Sequence, residues 1–424
     1  MPHQIAVTIR APIDEGRADE LRKRLVEVGR AGMAGAPFRF DRLPGVHFAR
    51  FFVLPEQQDL TGAVIPAGLV YLGEVDAPLG RHLANLLDVA GEGVDEVFGY
   101  CTGYPGTGAS RTTRLRWLRA HSMPADAFYV NTIGRGQAQI RAEATLRAAI
   151  EEFLDGQHED LSDRTPLQIR QEIRAYVNDT PELAWALHPP PRPALSWRAK
   201  EALHRFGVPA LLLPALPALI VAAPVWAVLL RLHELRDEPD TERPAPEQLQ
   251  ELAELEDLAA QNPFTAVGLV KPGPLRGLTI RLVLSAIDYA VRHHYGHADL
   301  AGVKTIHFAR WVSMDDRRRV LFASDYDGSL ESYMDDFIDK VAWGLNAVFG
   351  NGVGYPRTRW LLFGGARDEQ AFKYYLRRHQ IPTAAWYSAY ESLTARNIER
   401  NALIRAGLNG EMSPAEAERW LRML

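Results

Sequence analysis

The sequence predicts an α+β protein whose two halves share one fold and whose connecting segment binds a membrane. Two observations predict the shared fold. The tetrapeptide His-Phe-Ala-Arg occurs at residues 47–50 and again at residues 307–310, and strand-like and helix-like segments follow one another in the same order in both halves. A third observation predicts the membrane segment, because residues 206–230 form an apolar run without a charged residue. Doubling a fold fixes the architecture and leaves the chemistry open.

Two ungapped blocks align the halves with each other. Residues 76–105 align with residues 327–356, and residues 118–148 align with residues 376–406. The identical positions include glycines, prolines and aromatic residues that set turns and packing: Asp76/Asp327, Asp88/Asp339, Gly93/Gly344, Gly103/Gly354, Tyr104/Tyr355, Pro105/Pro356, Pro124/Pro382, Tyr129/Tyr387, Ile140/Ile398 and Arg147/Arg405.

In the second half, the hydrophobic periodicity predicts the order β-α-β-β-α-β. The strands are predicted over residues 266–270, 305–312, 319–323 and 359–363, and the helices over residues 278–295 and 330–349. Asp327 or Ser329 can cap the later helix, because a short polar side chain before a helix accepts hydrogen bonds from its free amides. An additional helix, strand and helix are predicted over residues 368–379, 384–390 and 393–406.

The first half predicts the same order. Its strands are predicted over residues 4–10, 46–54, 67–72 and 112–117, and its helices over residues 16–28 and 79–98. This order is the ferredoxin-like plan. Such a sheet is covered by helices on one face only, so two copies pack most simply sheet to sheet. The sequence therefore predicts two ferredoxin-like repeats that form an intramolecular α+β barrel.

The aligned blocks divide the chain into three predicted parts. These are repeat 1 over residues 1–141, a helical connector over residues 142–261, and repeat 2 with C-terminal helices over residues 262–424. Within the connector we predict helices over residues 142–155, 165–177 and 246–261, a rigid break at residues 189–191 and an acidic, solvated linker over residues 237–247.

Composition limits the classes of partner and the cellular compartments that we expect for this protein. The net charge is -5, with basic and acidic residues intermixed, so we expect no nucleic-acid partner. The single cysteine, Cys101, excludes an intrachain disulfide and suits a reducing compartment. The N-terminal residues lack the basic and apolar regions of a signal peptide. We expect the protein to face the cytoplasm, and its oligomeric state stays open.

Residues 206–230 are long enough to cross a bilayer, since about 25 residues at about 1.5 Å each exceed a core of roughly 30 Å. Four prolines interrupt the run, at Pro209, Pro214, Pro217 and Pro224, so a straight helix is not expected. Repeats that meet in one barrel must lie on one side of the membrane. We therefore predict a monotopic or re-entrant insertion bent near residues 214–217, with lipid as the partner. The alternative is an apolar hairpin buried against the domains.

The repeated tetrapeptide supplies the candidate site residues. His47, Arg50, His307 and Arg310 are polar side chains in apolar strands, so each needs a buried partner. Strand alternation places the His and the Arg of one strand on opposite faces. On the functional interpretation, an imidazole or a guanidinium projects into a barrel cavity as a catalytic or anion-binding group. On the structural interpretation, each Arg pairs with Asp76 or Asp327 of its own repeat and each His is a hydrogen-bonded core residue.

Two polar clusters near the second repeat have ordinary structural explanations. The carboxylates of residues 325–339 depart from EF-hand spacing, and acidic residues stabilise a helix N-terminus. His293, His294 and His297 lie at the end of the helix predicted over residues 278–295, where cations are favourable without a metal, so no metal site is expected.

Two further features could belong to a ligand site. Gly364 and Gly365 precede a predicted helix, but they lack the glycine spacing and the lysine of a phosphate loop. Trp386 and Tyr387, on the strand predicted after the repeat, could form the wall of a cofactor pocket or pack in the core.

Several motifs of the second repeat resemble an uncharacterised bacterial family with tandem ferredoxin-like repeats. The motifs occupy residues 306–311, 327–329, 336–340 and 354–359. Paired ferredoxin-like units are also similar in fold to the superfamily of dye-decolorising peroxidases and chlorite dismutases, whose members bind haem against the sheet. That similarity implies haem as the cofactor, with His307 as its ligand and Trp386 and Tyr387 beside it. The Gly-x-x-Asp-Gly signature of the peroxidases is matched only in part, at residues 326–328.

Two functions are compatible with the sequence. The first is a membrane-associated, oxidoreductase-like protein that binds haem or another apolar small molecule in the barrel cavity, with His307 and Arg310, and their counterparts His47 and Arg50, as catalytic residues. The second is a non-catalytic module for binding or assembly at a membrane surface. The sequence leaves open whether the protein is an enzyme.

Overall fold

The computed structural model of the protein describes residues 4–76, 78–156, 164–189, 193–295 and 299–424. It shows a mixed α+β fold with antiparallel sheets, so the predicted α+β class is confirmed. The strands are β1 (Gln4–Pro12), β2 (Val46–Leu54), β3 (Gln57–Gln58), β4 (Val64–Ile65), β5 (Gly68–Asp76), β6 (Ser122–Met123), β7 (Ala127–Val130), β8 (Gln261–Leu269), β9 (Ile306–Met314), β10 (Arg319–Asp327), β11 (Thr358–Arg359), β12 (Phe363–Gly364) and β13 (Ala385–Ser388). The helices are α1 (Ala18–Ala31), α2 (Leu79–Phe98), α3 (Arg111–Ala120), α4 (Gln137–Asp155), α5 (Pro166–Asp179), α6 (Leu195–Leu212), α7 (Leu216–Glu234), α8 (Pro246–Ala253), α9 (Pro274–His293), α10 (Leu330–Phe349), α11 (Glu369–His379), α12 (Ala395–Gly407) and α13 (Pro414–Leu421).

Two sheets form the centre of the protein. The first has five strands in the order β13-β2-β5-β1-β6, and the second has four in the order β7-β9-β10-β8. Each half of the chain supplies three long neighbouring strands to its own sheet, β2-β5-β1 in one and β9-β10-β8 in the other. The described strands form two separate sheets, and no closed barrel is seen among them.

The sheets exchange their edge strands. β7 belongs to the first half but pairs with β9, and β13 belongs to the second half but pairs with β2. The two pairings have the same register. Ala127 lies opposite Trp311, and the aligned residue Ala385 lies opposite Phe51, which is the equivalent of Trp311. Each sheet is therefore completed by the other half of the chain, which ties the halves together through backbone hydrogen bonds.

Both predicted fourth strands are wrong. Residues 112–117 lie in helix α3, because the Ser110 side chain accepts a hydrogen bond from the Thr113 amide and caps a helix there. Residues 359–363 do not form one strand, because Trp360 and Leu361 have φ values of 64° and 52° and reverse the chain between β11 and β12. Only a tight turn places two successive residues in this left-handed region.

The other predicted strands and helices are present, three of them (β2, α2 and α10) with the predicted bounds and the rest with shifted boundaries. The largest shift is in the helix predicted over residues 246–261, which ends at Ala253, while Gln261 already begins β8. The predicted boundary after residue 141 falls inside α4. The division into three domains stays a prediction, and Pro190 and Pro191 of the predicted rigid break lie outside the described residues.

Apolar residues from both sheets meet in one buried layer, so the sheets pack against each other. The layer comprises Phe52, Leu54, Val70, Leu72, Val267, Val312, Met314, Leu321 and Ala323. A separate helical cluster joins α4 and α5 to α12 and α13, with Ile150, Ile173, Ile404 and Trp420 in its core. The candidate residues of the repeated tetrapeptide lie at the sheet-sheet interface.

Candidate functional site

His47 and His307 each occupy a β-bulge. Val46 lies opposite Val75 and Phe48 lies opposite Glu74, so His47 is an extra residue in β2. The same irregularity leaves His307 without a partner in β10. An extra residue shifts the alternation of side chains by one position. The prediction that the His and the Arg of one strand lie on opposite faces of the sheet is therefore wrong. Both side chains of β2 reach the other half of the chain: the His47 ring lies 5.3 Å from the Phe308 ring, and Arg50 also contacts residues of that half.

Arg50 crosses from one sheet to the other. Its guanidinium donates to the carbonyl oxygens of Phe264 and Ser324, at 3.0 and 3.1 Å, and to Thr265 Oγ1 at 3.1 Å. It also forms an ion pair with the Asp325 carboxylate, and both side chains are fully buried. Every one of these partners belongs to the second half of the chain.

Arg310 makes the corresponding contacts in the opposite direction. It donates to the carbonyl oxygens of Val7 and Gly73, at 2.6 and 2.9 Å, and to Thr8 Oγ1 at 3.2 Å. Its ionic partner is the buried carboxylate of Glu74. The prediction that each Arg pairs with Asp76 or Asp327 of its own repeat is therefore wrong, because the bulged strands direct the guanidinium groups across the interface.

Asp76 and Asp327, which were predicted to pair with the arginines, contact the two histidines instead. His47 Nε2 lies 3.2 Å from Asp76 Oδ1, and His307 Nε2 lies 2.7 Å from Asp327 Oδ1. The second oxygen of each carboxylate accepts a backbone amide at the start of a helix, α4 for Asp76 at 3.1 Å and α12 for Asp327 at 2.7 Å. Ser329 caps α10 as predicted. The aspartates therefore connect the histidine strands to the helices that follow the exchanged edge strands.

Two pairs of opposite charges are thus buried between the sheets, Arg50 with Asp325 and Arg310 with Glu74. Burial raises the pKa of Asp325 to about 7, even though Arg50 acts in the opposite direction and Trp386 Nε1 donates to its carboxylate at 3.2 Å. Ionised groups in such a place are costly unless they are paired and hydrogen-bonded. The network therefore holds the halves in one fixed arrangement.

His307, Trp386 and Tyr387, the residues predicted to hold haem, are not arranged to bind one. His307 is only 3% exposed, its Nε2 is engaged by Asp327, and its ring packs 5.3 Å from the Phe48 ring. An axial ligand needs a ring nitrogen that faces an open volume. Trp386 and Tyr387 do not form one wall, because Trp386 stacks on Phe48 while Tyr387 packs in the core beneath the helices. Haem binding and oxidoreductase activity stay predictions without support from this geometry.

The remaining polar motifs are engaged in local structure. Asn346 Oδ1 accepts the Ala366 amide at 2.8 Å, so the loop at Gly364 and Gly365 is closed by a side chain of the protein. His293 Nε2 lies 2.7 Å from His204 Nδ1 of α6, and His297 lies outside the described residues. No group of three or more His, Cys, Asp or Glu side chains that could hold a metal occurs within the described part of the chain.

The exposed apolar helix spans α6, a 3-10 turn at Leu213–Ala215, and α7. Together they form one helical run over Leu195–Glu234, whose most apolar window has a mean hydropathy of 2.2 and is 0% buried. The 3-10 turn contains Pro214 and lies at the predicted bend. The alternative of a buried hairpin is wrong, because the run stays helical and solvent surrounds its middle.

The N-terminal end of the exposed apolar helix is attached to helix α9. Glu201 forms an ion pair with Arg292 at 2.5 Å, and the Tyr289 hydroxyl donates to the Arg205 carbonyl at 2.7 Å. This end is therefore fixed to the C-terminal part of α9.

The C-terminal end is attached to the same half of the chain. Glu234 accepts the backbone amides of Trp360 and Leu361 and the Thr358 hydroxyl, each at 2.8 Å. Burial alone would raise the pKa of Glu234, but the hydrogen bonds from Leu361 and Trp360 outweigh it and lower the pKa. Both ends of the exposed apolar helix thus contact one folded body, while the residues between them project into solvent.

Two grooves lie on the helical surface that includes α9, and the first of them adjoins the exposed apolar helix. The first, the basic groove, has a volume of about 730 Å³ and lies between the start of α6, the end of α9 and α12. The second, of about 350 Å³, lies between α9 and α10 and is lined almost wholly by apolar side chains, including Ile287, Ala290, Trp343 and Gly344. The apolar ligand predicted from the sequence was expected in a barrel cavity rather than in this groove, and it stays a prediction.

No protein-family model matches the chain, and no curated protein matches its sequence. The functional interpretation therefore depends on the geometry. Sequence reasoning missed the acidic partners Glu74 and Asp325, although both are charged residues in apolar strands, two positions before Asp76 and Asp327. It also missed the basic groove, because its residues come from distant parts of the chain.

Proposed function

We propose that this protein is a membrane-surface binding module that attaches to a bilayer through the exposed apolar helix. The observation that carries the proposal is the combination of high hydropathy and complete exposure over one helical run. A helix that is apolar on all sides is normally buried in a protein core or in lipid. Among its side chains, Leu211 is 79% exposed and Val221 is 73% exposed. Transfer of each such side chain out of water contributes about 1.5–3 kcal/mol.

The attachment of both ends supports insertion from one side of the membrane. Arg292 holds the N-terminal end and Arg276 holds Asp237 just beyond the C-terminal end, at 2.5 and 2.6 Å. Both arginines belong to α9 of the same folded body. A crossing helix would separate its two ends by the full bilayer and would draw this charged body into the hydrocarbon, which is strongly unfavourable. The helix therefore lies along one leaflet, bent at Leu213–Ala215.

The buried Arg and His strands support a scaffolding role for the rest of the molecule. Each arginine pairs with a buried carboxylate of the other half and each histidine contacts an aspartate, which favours binding or assembly over catalysis. The reducing environment expected from the single buried cysteine, Cys101, supports the cytoplasmic face of the membrane.

The finer description of the fold is also part of this proposal: two ferredoxin-like repeats that arose by duplication and form a barrel-like pair of sheets. The paired contacts support it, since Arg50 with Asp325 corresponds to Arg310 with Glu74. The matching registers of the exchanged strands support it as well. The scaffold thus presents one membrane segment on a body whose halves lie on the same side.

Vesicle flotation tests the proposal directly. The full chain is expected to float with phosphatidylcholine vesicles, whereas a variant with Leu211→Gln, Ile220→Gln and Val225→Gln is expected to lose most of this binding. The matched control carries Leu60→Gln, Val64→Gln and Leu258→Gln, three exposed apolar residues elsewhere on the surface, and it should float like the parent. Both variants should unfold within about 0.5 kcal/mol of the parent, because the changed side chains are exposed. Equal flotation of the two variants would exclude the exposed apolar helix as the membrane-binding element.

A further inference from the structure

The basic groove lies against the N-terminal end of the exposed apolar helix. Its lining contains Arg135, Arg198, Arg205 and Arg292, the acidic residues Glu201 and Glu399, and large apolar side chains such as Trp197 and Phe206. Its volume of about 730 Å³ lies within the range of small-molecule sites, which is about 300–1,000 Å³.

Two of the arginines have charges that no acidic side chain within the described ranges neutralises. Arg292 is paired with Glu201, and Arg135 lies 3.4 Å from Glu143. Arg198 and Arg205 are exposed, and no ion pair to either is formed by the described residues. Arg205 lies over the ring of Phe206, with its guanidinium carbon 5.9 Å from the ring centre. The groove therefore presents uncompensated positive charge directly beside an apolar surface.

The two ends of the exposed apolar helix differ in charge. Residues 197–205 contain three basic side chains, Arg198, Lys200 and Arg205, against the single acidic residue Glu201. Residues 231–243 contain three arginines against five acidic residues. An anionic surface would therefore attract the N-terminal end and repel the C-terminal end.

We infer that the basic groove binds the phosphate headgroup of an anionic phospholipid, whose acyl chains then lie against the exposed apolar helix. This inference rests on the proposed membrane-surface function and adds the class of lipid and the residues that recognise it. Guanidinium groups bind phosphate through paired hydrogen bonds. A soluble phosphate would satisfy the arginines but would leave Phe206 and the neighbouring apolar residues exposed, so the position of the groove favours a lipid.

Indole rings prefer the level of the headgroups. Trp197 lies in the groove beside Arg198, about two and a half turns before the uncharged run begins at Phe206. The basic and indole side chains thus lie together at the N-terminal end of the helix, where they can contact headgroups while the apolar side chains after them contact acyl chains.

The test measures binding of the full chain to two kinds of vesicle, phosphatidylcholine alone and phosphatidylcholine mixed with phosphatidylglycerol. The parent protein should bind the mixed vesicles more tightly, and salt should reduce this difference. The Arg198→Gln/Arg205→Gln variant should lose about 25-fold in affinity for the mixed vesicles, since each basic residue near an anionic surface contributes a factor of about 5. Its affinity for phosphatidylcholine alone should stay close to that of the parent.

The matched control is Arg236→Gln/Arg243→Gln, which removes the same charge from the other end of the helix. Equal losses in the two double variants would overturn the groove as the recognition site, because net charge alone would then explain the binding. Equal affinity of the parent for both vesicles would overturn the headgroup inference while leaving the membrane-surface function intact. Failure of the parent to bind either vesicle would overturn both.

Discussion

The two regions that stand out in the sequence behave in opposite ways in the structure. The His-Phe-Ala-Arg strands carry charged and polar residues, and they are buried. The segment over residues 206–230 carries apolar residues, and none of the described residues from Phe206 to Leu229 is buried. In the first region the charged side chains pair with other residues of the protein, whereas in the second a large apolar surface is not covered by any described residue.

This difference assigns the first region to stabilising the fold and the second to the proposed membrane binding. Arg50 and Arg310 each form a buried ion pair with a carboxylate of the other half, Asp325 and Glu74, and so they connect the two halves. The exposed apolar helix does not hold the body together, since it is fixed only at its ends. Its exposure costs free energy in water that contact with a bilayer would remove.

The largest expected effect concerns the buried ion pairs. Arg50→Met removes one partner and leaves the Asp325 carboxylate buried without its cation, which should reduce the free energy of unfolding by about 3–5 kcal/mol. Arg310→Met should cost a similar amount through Glu74. Urea denaturation measures both, and Arg198→Met, at an exposed position, should change the free energy of unfolding by at most about 0.5 kcal/mol.

The double variant Arg50→Met/Asp325→Leu sharpens this comparison. Replacing both partners removes the unpaired charge, so the double variant should be more stable than Arg50→Met alone. A loss below about 1 kcal/mol for Arg50→Met would show that the pair does not hold the sheets together, and the structural role of the tetrapeptide would then be in doubt.

A smaller effect is expected from the titration of Asp325. Burial raises its pKa from the ordinary value of 3.8 to about 7. The folded protein therefore binds this proton more tightly than the unfolded chain does. The resulting stability is fully present below about pH 4 and is lost as the pH rises to about 7, with a slope of at most about 1.4 kcal/mol per pH unit.

The Asp325→Asn variant isolates this contribution, because the amide does not titrate. The difference in the free energy of unfolding between parent and variant should fall as the pH rises from about 4 to about 7. If the attraction of Arg50 dominated instead, the pKa would be depressed, and the difference would grow with pH over the acidic range. That outcome would contradict burial as the dominant cause.

Much of the fold was predictable from sequence because the long elements carry strong local signals. β2, α2 and α10 have the predicted bounds, since apolar periodicity and caps specify them within one stretch of chain. The exchange of edge strands was not predictable, because β7 and β13 find their partners in the other half. The bulges at His47 and His307 depend on pairing register, which no single strand reveals.

The candidate sites divide in the same way. The apolar run over residues 206–230 is evident from composition alone, and the bend near residues 214–217 stays a prediction from the placement of prolines. The basic groove is not evident in this way, because Arg135, Arg198 and Arg292 lie in three distant segments that only the folded chain brings together. Sequence reasoning found the apolar helix that we propose binds the membrane, and it missed the groove beside it.

The central claim is that the exposed apolar helix lies in one leaflet of a bilayer, and spin-label accessibility tests it most directly. Cys101 is the only cysteine, so single cysteines at Leu213, Val221 and Leu60 can be labelled in a Cys101→Ala background. With phosphatidylcholine vesicles, the labels at 213 and 221 should become more accessible to oxygen and less accessible to a water-soluble nickel complex, while the label at 60 should not change. Unchanged nickel accessibility at 213 and 221 on addition of vesicles would contradict the account.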